Sequence, residues 1–252
     1  FTNGFIRNGH DVLEISDRDY VKQNKGLSFF NVQKKFHNYL IETFKNYNPD
    51  MIFYGHSDNI NPEILNRFKL LNKNLIISQW NEDPLLKNLD GGINNIEKLK
   101  KFIPIVDHTF ITTDPKSVKL LNNNIHFFMT PVDKNIECFD TFNLNPKNDI
   151  FYAMSHGVNR AKLKDGKVDS RVSFLKSLIS KLKDIKYDFY GFNKQEPIWS
   201  NDFYRALINS KMALNLSRGA PTKYYSSNRI ASLMGNGLLT FIDQKVHMSD
   251  FF

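Results

Sequence analysis

Apolar positions in the first half of the chain switch between helical spacing and short continuous runs. Residues 30–47 place Val32, Phe36, Leu40 and Phe44 at helical intervals, which predicts an amphipathic helix. Further helices are predicted at 62–71, 93–102 and 116–121, and short buried-type strands at 50–54, 74–79, 108–112 and 125–129. Strands separated by helices need crossover connections, so the pattern predicts a parallel sheet.

The second half repeats this alternation after a linker-like stretch at 143–148. Strands are predicted at 149–154, 187–190, 211–216 and 238–242, and helices at 170–182 and 201–210. A last helix, carrying Ile230, Leu233 and Met234, stops at Gly235. The expected fold class is α/β, with two Rossmann-like doubly wound domains facing each other across a cleft, one at 1–142 and one at 149–252.

The two ends of the sequence are expected to be incomplete. Residues 1–8 look like the tail of a helix that stops at Gly9, and His10 to Ile15 is predicted as the strand after it. A first strand is therefore expected upstream. The chain stops at Phe252 within what looks like another element, so we interpret it as a fragment of a longer gene product with both domains incomplete.

Composition narrows the class of protein. Of 252 residues, 41% are hydrophobic and 24% charged, as in ordinary globular proteins, and the net charge is +8. The single cysteine, Cys138, excludes an internal disulfide and is typical of a reducing compartment. No apolar run reaches the roughly 18–20 residues of a membrane span. We expect a cytoplasmic protein with at most peripheral contact at the inner face of the membrane.

Four loops that follow predicted strands carry clusters of polar residues. In order, they contain His56 and Asp58; Trp80, Glu82 and Asp83; Ser155, His156, Gly157 and Arg160; and Ser217, Arg218 and Gly219 followed by Lys223. Ligands bind at the carboxyl ends of parallel strands. The first two loops offer acids and a histidine for proton transfer, and the last two offer cations, glycine and hydroxyls for phosphate oxygens.

Each cluster also has a purely structural interpretation. His56 alone fits a surface histidine, Asp83 before Pro84 fits a helix N-cap, and Arg160 and Lys223 fit solvated cations. No GxxxxGK[ST], HExxH or GxSxG motif occurs, and no ligand pair supports a metal site beside His56 and Asp58. We therefore predict no cofactor and no metal.

The stretch from Arg229 to Gly237, RIASLMGNG, falls on the pattern R-[LIV]-F-E-A-[ML]-A-x-G. It resembles glycosyltransferases of the two-Rossmann-domain (GT-B) architecture, in particular the family-1-like group that includes CgeB-type proteins. The resemblance extends more weakly to residues 149–155, 187–191 and 80–84. It implies transfer of a sugar from a nucleoside-diphosphate donor, without a metal, to a glycan, lipid-linked or protein acceptor, as in cell-envelope glycan synthesis.

The resemblance also implies roles for the two domains: 1–142 would be the acceptor-side domain and 149–252 the nucleotide-sugar-binding domain. It further assigns roles to individual residues. The residues implied in donor binding are Ser155, Gly157, Arg160, Ser217, Arg218, Gly219, Lys223, Tyr225, Ser226, Ser227, Asn228 and Arg229. His56 or Asp83 would serve as the acceptor-side base if the reaction inverts the sugar.

The chain departs from the family pattern at two positions. Ser232 and Tyr224 stand where the pattern and many retaining members carry glutamates. These departures keep open a non-catalytic nucleotide-sugar or glycan-binding protein of the same fold. A basic nucleic-acid or membrane-surface binder is the third alternative. It ranks last because no basic helix is interleaved with aromatic residues, so nucleic acid is not an expected partner.

Overall fold

The computed structural model describes residues 1–24, 26, 29–55, 57–85, 92–118, 124–155 and 169–252. The chain divides into two compact units. The first unit contains Phe1–Asn81, Asn94–Ile111 and Lys119–Phe128. The second contains Glu82–Ile93, Thr112–Val118 and Met129–Phe252, so it takes residues from three separate stretches.

Helices and strands alternate through the first half. They are α1 (Thr2–Arg7), α2 (Asp17–Gln23), α3 (Phe29–Tyr47), β1 (Met51–Tyr54), α4 (Pro62–Leu71), β2 (Ile76–Asn81), α5 (Gly92–Phe102), β3 (His108–Ile111), α6 (Pro115–Val118) and β4 (Ile125–Phe127). The four strands form one parallel sheet in the order β1-β2-β3-β4. Its core is built where α3 and α4 pack on the sheet through Phe36, Phe44, Leu65, Phe68 and Ile77.

The second half forms another parallel sheet. Its elements are β5 (Asn148–Ala153), α7 (Ser170–Lys181), β6 (Tyr187–Tyr190), α8 (Ser200–Ile208), β7 (Ser210–Asn215), α9 (Arg229–Gly235) and β8 (Leu239–Ile242). The strand order is β6-β5-β7-β8. The chain therefore moves from β5 to one neighbour, β6, and later builds outward on the other side through β7 and β8.

This strand order makes the second sheet doubly wound. On one face, Leu175 of α7 packs with Tyr152 and Phe189. On the other face, Leu207 of α8 and Leu233 of α9 pack with Phe151. The connections from β5 and β7 leave toward opposite faces, so the carboxyl ends of these adjacent strands form a topological switch point, where open α/β sheets place their ligands.

The predicted α/β class with two parallel sheets is confirmed, and most predicted elements occur within two residues of their expected bounds. The strand predicted from His10 to Ile15 is wrong. Those residues pair with no described strand. An alternating apolar and polar sequence becomes a β-strand only where an adjacent strand supplies backbone hydrogen bonds. The helix α2 was not predicted, although Ser16 caps it by accepting a hydrogen bond from the backbone N–H of Asp19 at 3.2 Å.

The domain boundaries at residues 142 and 149 stay predictions. Among the described helices, none combines the length and the apolar character that crossing a bilayer would require.

Candidate functional site

Arg229 links the ends of β5 and β7 at the switch point of the second sheet. It is the first residue of α9, and its Nη1 donates to the carbonyl of Leu216, one residue past β7, at 3.3 Å. Its Cζ lies 5.1 Å from the ring centroid of Tyr152, a residue of β5. A guanidinium at this distance from an aromatic ring is attracted by the ring quadrupole. One cation therefore contacts both strand ends that border the crevice.

Tyr152 is itself held by a buried ion pair. Its hydroxyl accepts a hydrogen bond from Nη1 of Arg171 at 3.4 Å. The Nε of Arg171 donates to both carboxylate oxygens of Asp169, at 2.9 and 3.0 Å. Asp169 also caps α7 by accepting from the backbone N–H of Arg171 at 3.1 Å. Asp169, Arg171 and Tyr152 are all buried, and together with Arg229 they form one connected polar group.

The two arginines of this group differ in their electrostatic surroundings. Burial alone would lower the pKa of Arg171, but its hydrogen bonds to Asp169 and the charge of that carboxylate raise the pKa overall. Burial lowers the pKa of Arg229; Tyr152 opposes this through its charge and a side-chain hydrogen bond, and the positive charge of Arg171 lowers the pKa further. Arginine remains protonated in proteins, so the lowered pKa reflects chiefly the partial removal of the Arg229 cation from water.

The described part of the chain places no carboxylate at ion-pair distance from Arg229. The group thus holds two guanidinium cations and one carboxylate, Asp169. A buried cluster with an excess positive charge favours an anionic ligand, because the anion supplies the missing counter-charge.

The loop that leaves β7 returns to the end of that strand. The side-chain Nδ2 of Asn215, the last residue of β7, donates to Ser226 Oγ at 2.7 Å, and both residues are buried. The hydroxyl of Ser227 donates to Asn215 Oδ1 at 3.5 Å. Within the loop, Gly219 has a φ of +78°, a conformation that glycine adopts without strain. Asn215 therefore fixes the position of the segment that leads into Arg229.

The buried Tyr225 phenol lies close to two carboxylates and two arginines whose charges affect its pKa. Burial is the main reason its pKa is raised. The negative charges of Asp83 and Glu82 raise the pKa further, and the positive charges of Arg218 and Arg229 oppose them. The phenol is consequently a neutral hydrogen-bond donor at physiological pH.

The loops after β2 and β3 join this site within the second unit. The side-chain Nδ2 of Asn228 donates a short hydrogen bond to Glu82 Oε2, and the hydroxyl of Thr112 donates to the Glu82 carbonyl at 3.2 Å. The backbone N–H of Asp114 donates to the Lys223 carbonyl at 3.2 Å. These contacts attach residues 82–83 and 112–114 to the segment between β7 and α9.

The structure brings several predicted site residues together. The charges of three predicted site residues act on the Tyr225 hydroxyl: Asp83, Arg218 and Arg229. Ser226 and Ser227 form hydrogen bonds with Asn215. Asp83 is not the N-cap of α5, which starts at Gly92.

The other predicted site residues lie further from this centre or outside the described residues. Ser155 is exposed just past β5, and Ser217 and Gly219 are half-buried in the β7–α9 loop. Lys223 is exposed, with Nζ 4.7 Å from the ring centroid of Tyr224. His56, Gly157 and Arg160, together with His156, lie outside the described residues. The roles assigned to all these residues stay predictions.

Sequence reasoning missed four residues of this site: Tyr152, Asp169, Arg171 and Asn215. Tyr152 lies in the apolar run of β5 and looks like a core residue in the sequence. The Asp169-Ser170-Arg171 triplet did carry a usable signal, because an aspartate directly before a predicted helix is a favoured N-cap.

The two positions that depart from the family pattern have structural partners. The carbonyl of Ser232 accepts a hydrogen bond from Nδ2 of Asn236 at 2.7 Å. Tyr224 adopts a left-handed φ of +63°, and its hydroxyl donates to Asp250 Oδ2 at 2.9 Å. Tyr224 therefore attaches the loop to the end of the chain.

Among the described residues, no group of three or more His, Cys, Asp or Glu side chains is arranged to hold a metal ion. The absence of a metal or cofactor in the reaction stays a prediction.

Comparison with known proteins gives structural likeness only. No family model matches the chain, and no curated protein matches it. Similar solved structures include a Listeria monocytogenes protein assigned as a UDP-N-acetylglucosamine 2-epimerase, with 12% identity, a TM-score of 0.45 and coverage of 85% of this chain and 62% of that one.

Two further solved structures give the same level of likeness. Another UDP-N-acetylglucosamine 2-epimerase has 12% identity, a TM-score of 0.42 and coverage of 76% and 56% of the two chains. The S. aureus MnaA–UDP complex has 13% identity, a TM-score of 0.36 and coverage of 72% and 56%. The chain thus spans from 56% to 62% of the length of these proteins.

Proposed function

We propose that the protein acts on nucleoside-diphosphate sugars and transfers the sugar to an acceptor without a metal. The observation that carries this proposal is the position of Arg229 at the β5–β7 switch point, where the described residues place one carboxylate, Asp169, beside the buried Arg171 and the half-buried Arg229. A nucleoside diphosphate leaves as an anion. Fixed cations that stabilise its developing charge lower the barrier of the transfer step.

The two carboxylates near Tyr225, those of Glu82 and Asp83, support sugar transfer rather than binding alone. Asp83 and Glu82 lie close enough to Tyr225 to raise the pKa of its phenol. A carboxylate beside a neutral phenol can accept a proton from an acceptor hydroxyl while the phenol donates a hydrogen bond. We assign Asp83 as the acceptor-side base of an inverting reaction. Asn228 is an alternative partner for donor hydroxyls, although its amide contacts Glu82 in the described structure.

The second candidate is a non-catalytic nucleotide-sugar or glycan-binding protein of the same fold. Ser232 and Tyr224 favour it, because neither supplies the carboxylate of the family pattern, and Tyr224 is engaged with Asp250.

A thermal-shift panel with UDP, GDP, ADP and CDP tests the donor site. A diphosphate at about 100 times its dissociation constant should add about 2.7 kcal/mol of stability, which raises the melting temperature by roughly 5–10 °C for a chain of this size. The corresponding nucleosides without phosphate are the control. If none of the four diphosphates raises the melting temperature, the proposal is wrong.

Turnover separates the two candidate functions. Release of nucleoside diphosphate from a bound nucleotide sugar, in the presence of acceptor, is expected for the transferase. The Asp83→Asn variant should reduce kcat by about 100-fold or more with little change in donor binding. Donor binding with no release of nucleoside diphosphate would favour the binding protein.

A further inference from the structure

We propose that Tyr152, Arg171 and Asp169 are positioning residues that orient the Arg229 guanidinium toward a diphosphate group bound at the β5–β7 switch point. This inference deepens the proposed function and rests on it for the identity of the anion. It assigns roles to three residues that look, in the sequence, like core and helix-start positions.

The first step of the argument is the path of the Arg229 side chain. Arg229 starts α9, which packs on one face of the second sheet, whereas Tyr152 packs with α7 on the opposite face. The guanidinium therefore crosses the carboxyl edge of the sheet to reach the Tyr152 ring. That path lies between the ends of β5 and β7, where the crevice of a doubly wound sheet opens.

The second step concerns hydrogen-bond capacity. A guanidinium has five N–H donors in a planar fork. The carbonyl of Leu216 takes one donor at 3.3 Å, and the guanidinium carbon lies over the Tyr152 ring, 5.1 Å from its centroid. The donors left over lie in the plane of the fork. Bidentate recognition of a phosphate uses two parallel donors of that plane.

The third step is the division of charge. Asp169 neutralises Arg171 through hydrogen bonds from Nε, so Arg171 can hold the Tyr152 hydroxyl without adding a second free cation. The net positive charge of the group then rests on Arg229. This arrangement explains why the Asp169–Arg171 pair lies near Arg229 without acting as its counter-ion. The pair holds the Tyr152 hydroxyl, and the Tyr152 ring holds the Arg229 guanidinium.

The test measures binding of inorganic pyrophosphate to the full chain by calorimetry, with circular dichroism verifying that each variant is folded. Arg229→Gln should weaken binding by about 30-fold or more, because a desolvated charge partner is lost. Tyr152→Phe keeps the ring but frees it from Arg171, and should weaken binding by about three- to tenfold.

Matched controls make the same chemical changes away from the site. Tyr187→Phe removes a hydroxyl from β6 that donates to the Leu182 carbonyl at 2.7 Å, and Arg205→Gln removes an exposed arginine of α8 that pairs with Asp202. Both should bind pyrophosphate within about twofold of the wild type. Arg229→Lys keeps the charge without the planar fork. It should fall between the wild type and Arg229→Gln, a ranking that loss of folding alone would not produce.

The outcomes separate this inference from the proposed function. If nucleoside diphosphates bind the wild type and Arg229→Gln equally, the positioning role is wrong while the proposed function stands. If pyrophosphate binding depends on Arg229 and Tyr152 but no nucleotide binds more tightly than pyrophosphate, the inference stands and the nucleotide-sugar function fails. If Tyr152→Phe does not fold, equal binding by Arg229→Lys and the wild type would overturn the inference.

Discussion

Asn236 connects the end of α9 to the segment that precedes the second sheet through its contact with Phe139. Its side-chain Oδ1 accepts a hydrogen bond from the backbone N–H of Phe139 at 3.1 Å, while its Nδ2 donates to the Ser232 carbonyl at 2.7 Å. Its backbone carbonyl accepts from the N–H of Thr141 at 2.8 Å. The residue is fully buried, so all the polar atoms of its side chain are satisfied by protein.

Replacing Asn236 by alanine should lower the free energy of unfolding by about 1–3 kcal/mol, because the Phe139 N–H loses its buried partner. Urea denaturation followed by circular dichroism measures the change. Asn201→Ala, at an exposed position of α8, is the control and should stay within about 0.5 kcal/mol of the wild type. Equal midpoints for the two variants would show that the Asn236 contacts contribute nothing.

The Asp169–Arg171 pair should respond very differently to single and double substitution. Arg171→Met removes the guanidinium that hydrogen-bonds the buried Asp169 carboxylate and should destabilise the protein by about 3–5 kcal/mol. The double variant Asp169→Asn with Arg171→Met removes both charges, and asparagine remains a good N-cap for α7. It should recover most of the loss in a urea titration.

A surface pair provides the comparison for that experiment. Lys45→Met breaks the exposed pair with Glu42 and should change stability by at most about 1 kcal/mol. If Arg171→Met and the double variant unfold at the same urea concentration, charge compensation is not the reason for the pair.

Gly191 tolerates no side chain. Its φ is +71°, and a Cβ would lie 1.9 Å from the carbonyl oxygen of Met154. The left-handed conformation alone costs about 1–2 kcal/mol for an alanine. With the added overlap, Gly191→Ala should destabilise the protein by more than about 3 kcal/mol. The measurement is the melting temperature, and Gly55→Ala, whose Cβ would meet no atom within 4 Å, should leave it nearly unchanged.

Asp107 should make the first unit sensitive to acid. Burial raises the pKa of its carboxyl, but the hydrogen bond from the Ile77 N–H at 2.8 Å and the ion pair with Lys69 lower it overall. A carboxyl with a lowered folded-state pKa adds stability above its unfolded pKa of about 3.9. That stability disappears as the pH falls through the folded-state value.

Asp107→Asn should therefore lose less stability than the wild type between pH 7 and pH 3 in urea titrations. Lys69→Met should also flatten the profile, because one of the interactions that lower the Asp107 pKa is absent. Parallel profiles for the wild type and Asp107→Asn would contradict this assignment.

Local signals determined how far the fold could be predicted from the sequence. The start of α4 was readable from Pro62, because proline is favoured in the first turn of a helix. The structure adds that Asn61 caps this helix by accepting from the Ile64 N–H at 3.1 Å. The strand predicted from His10 to Ile15 failed because pairing depends on a neighbour far along the chain. Residues such as Phe36 and Leu40 were readable as core because helical spacing alone places them on one face.

The candidate site was less predictable because its contacts are long-range. Arg229 was chosen from a pattern, but nothing near Tyr152 in the sequence shows that it carries a cation on its ring and an arginine on its hydroxyl. Asn215 looked like the polar end of a strand, and only the returning loop reveals its contact with Ser226.

The second unit is built from three separate stretches of the chain, so it cannot be moved to another protein as one continuous segment. Asn228, Lys223 and Asn236 take hydrogen-bond partners from Glu82, Asp114 and Phe139, all of which precede residue 149. A shortened chain that begins at residue 149 would leave those groups to water. A fusion cut at that point would therefore separate the second sheet from the loops that complete the hydrogen bonds of its β7–α9 segment.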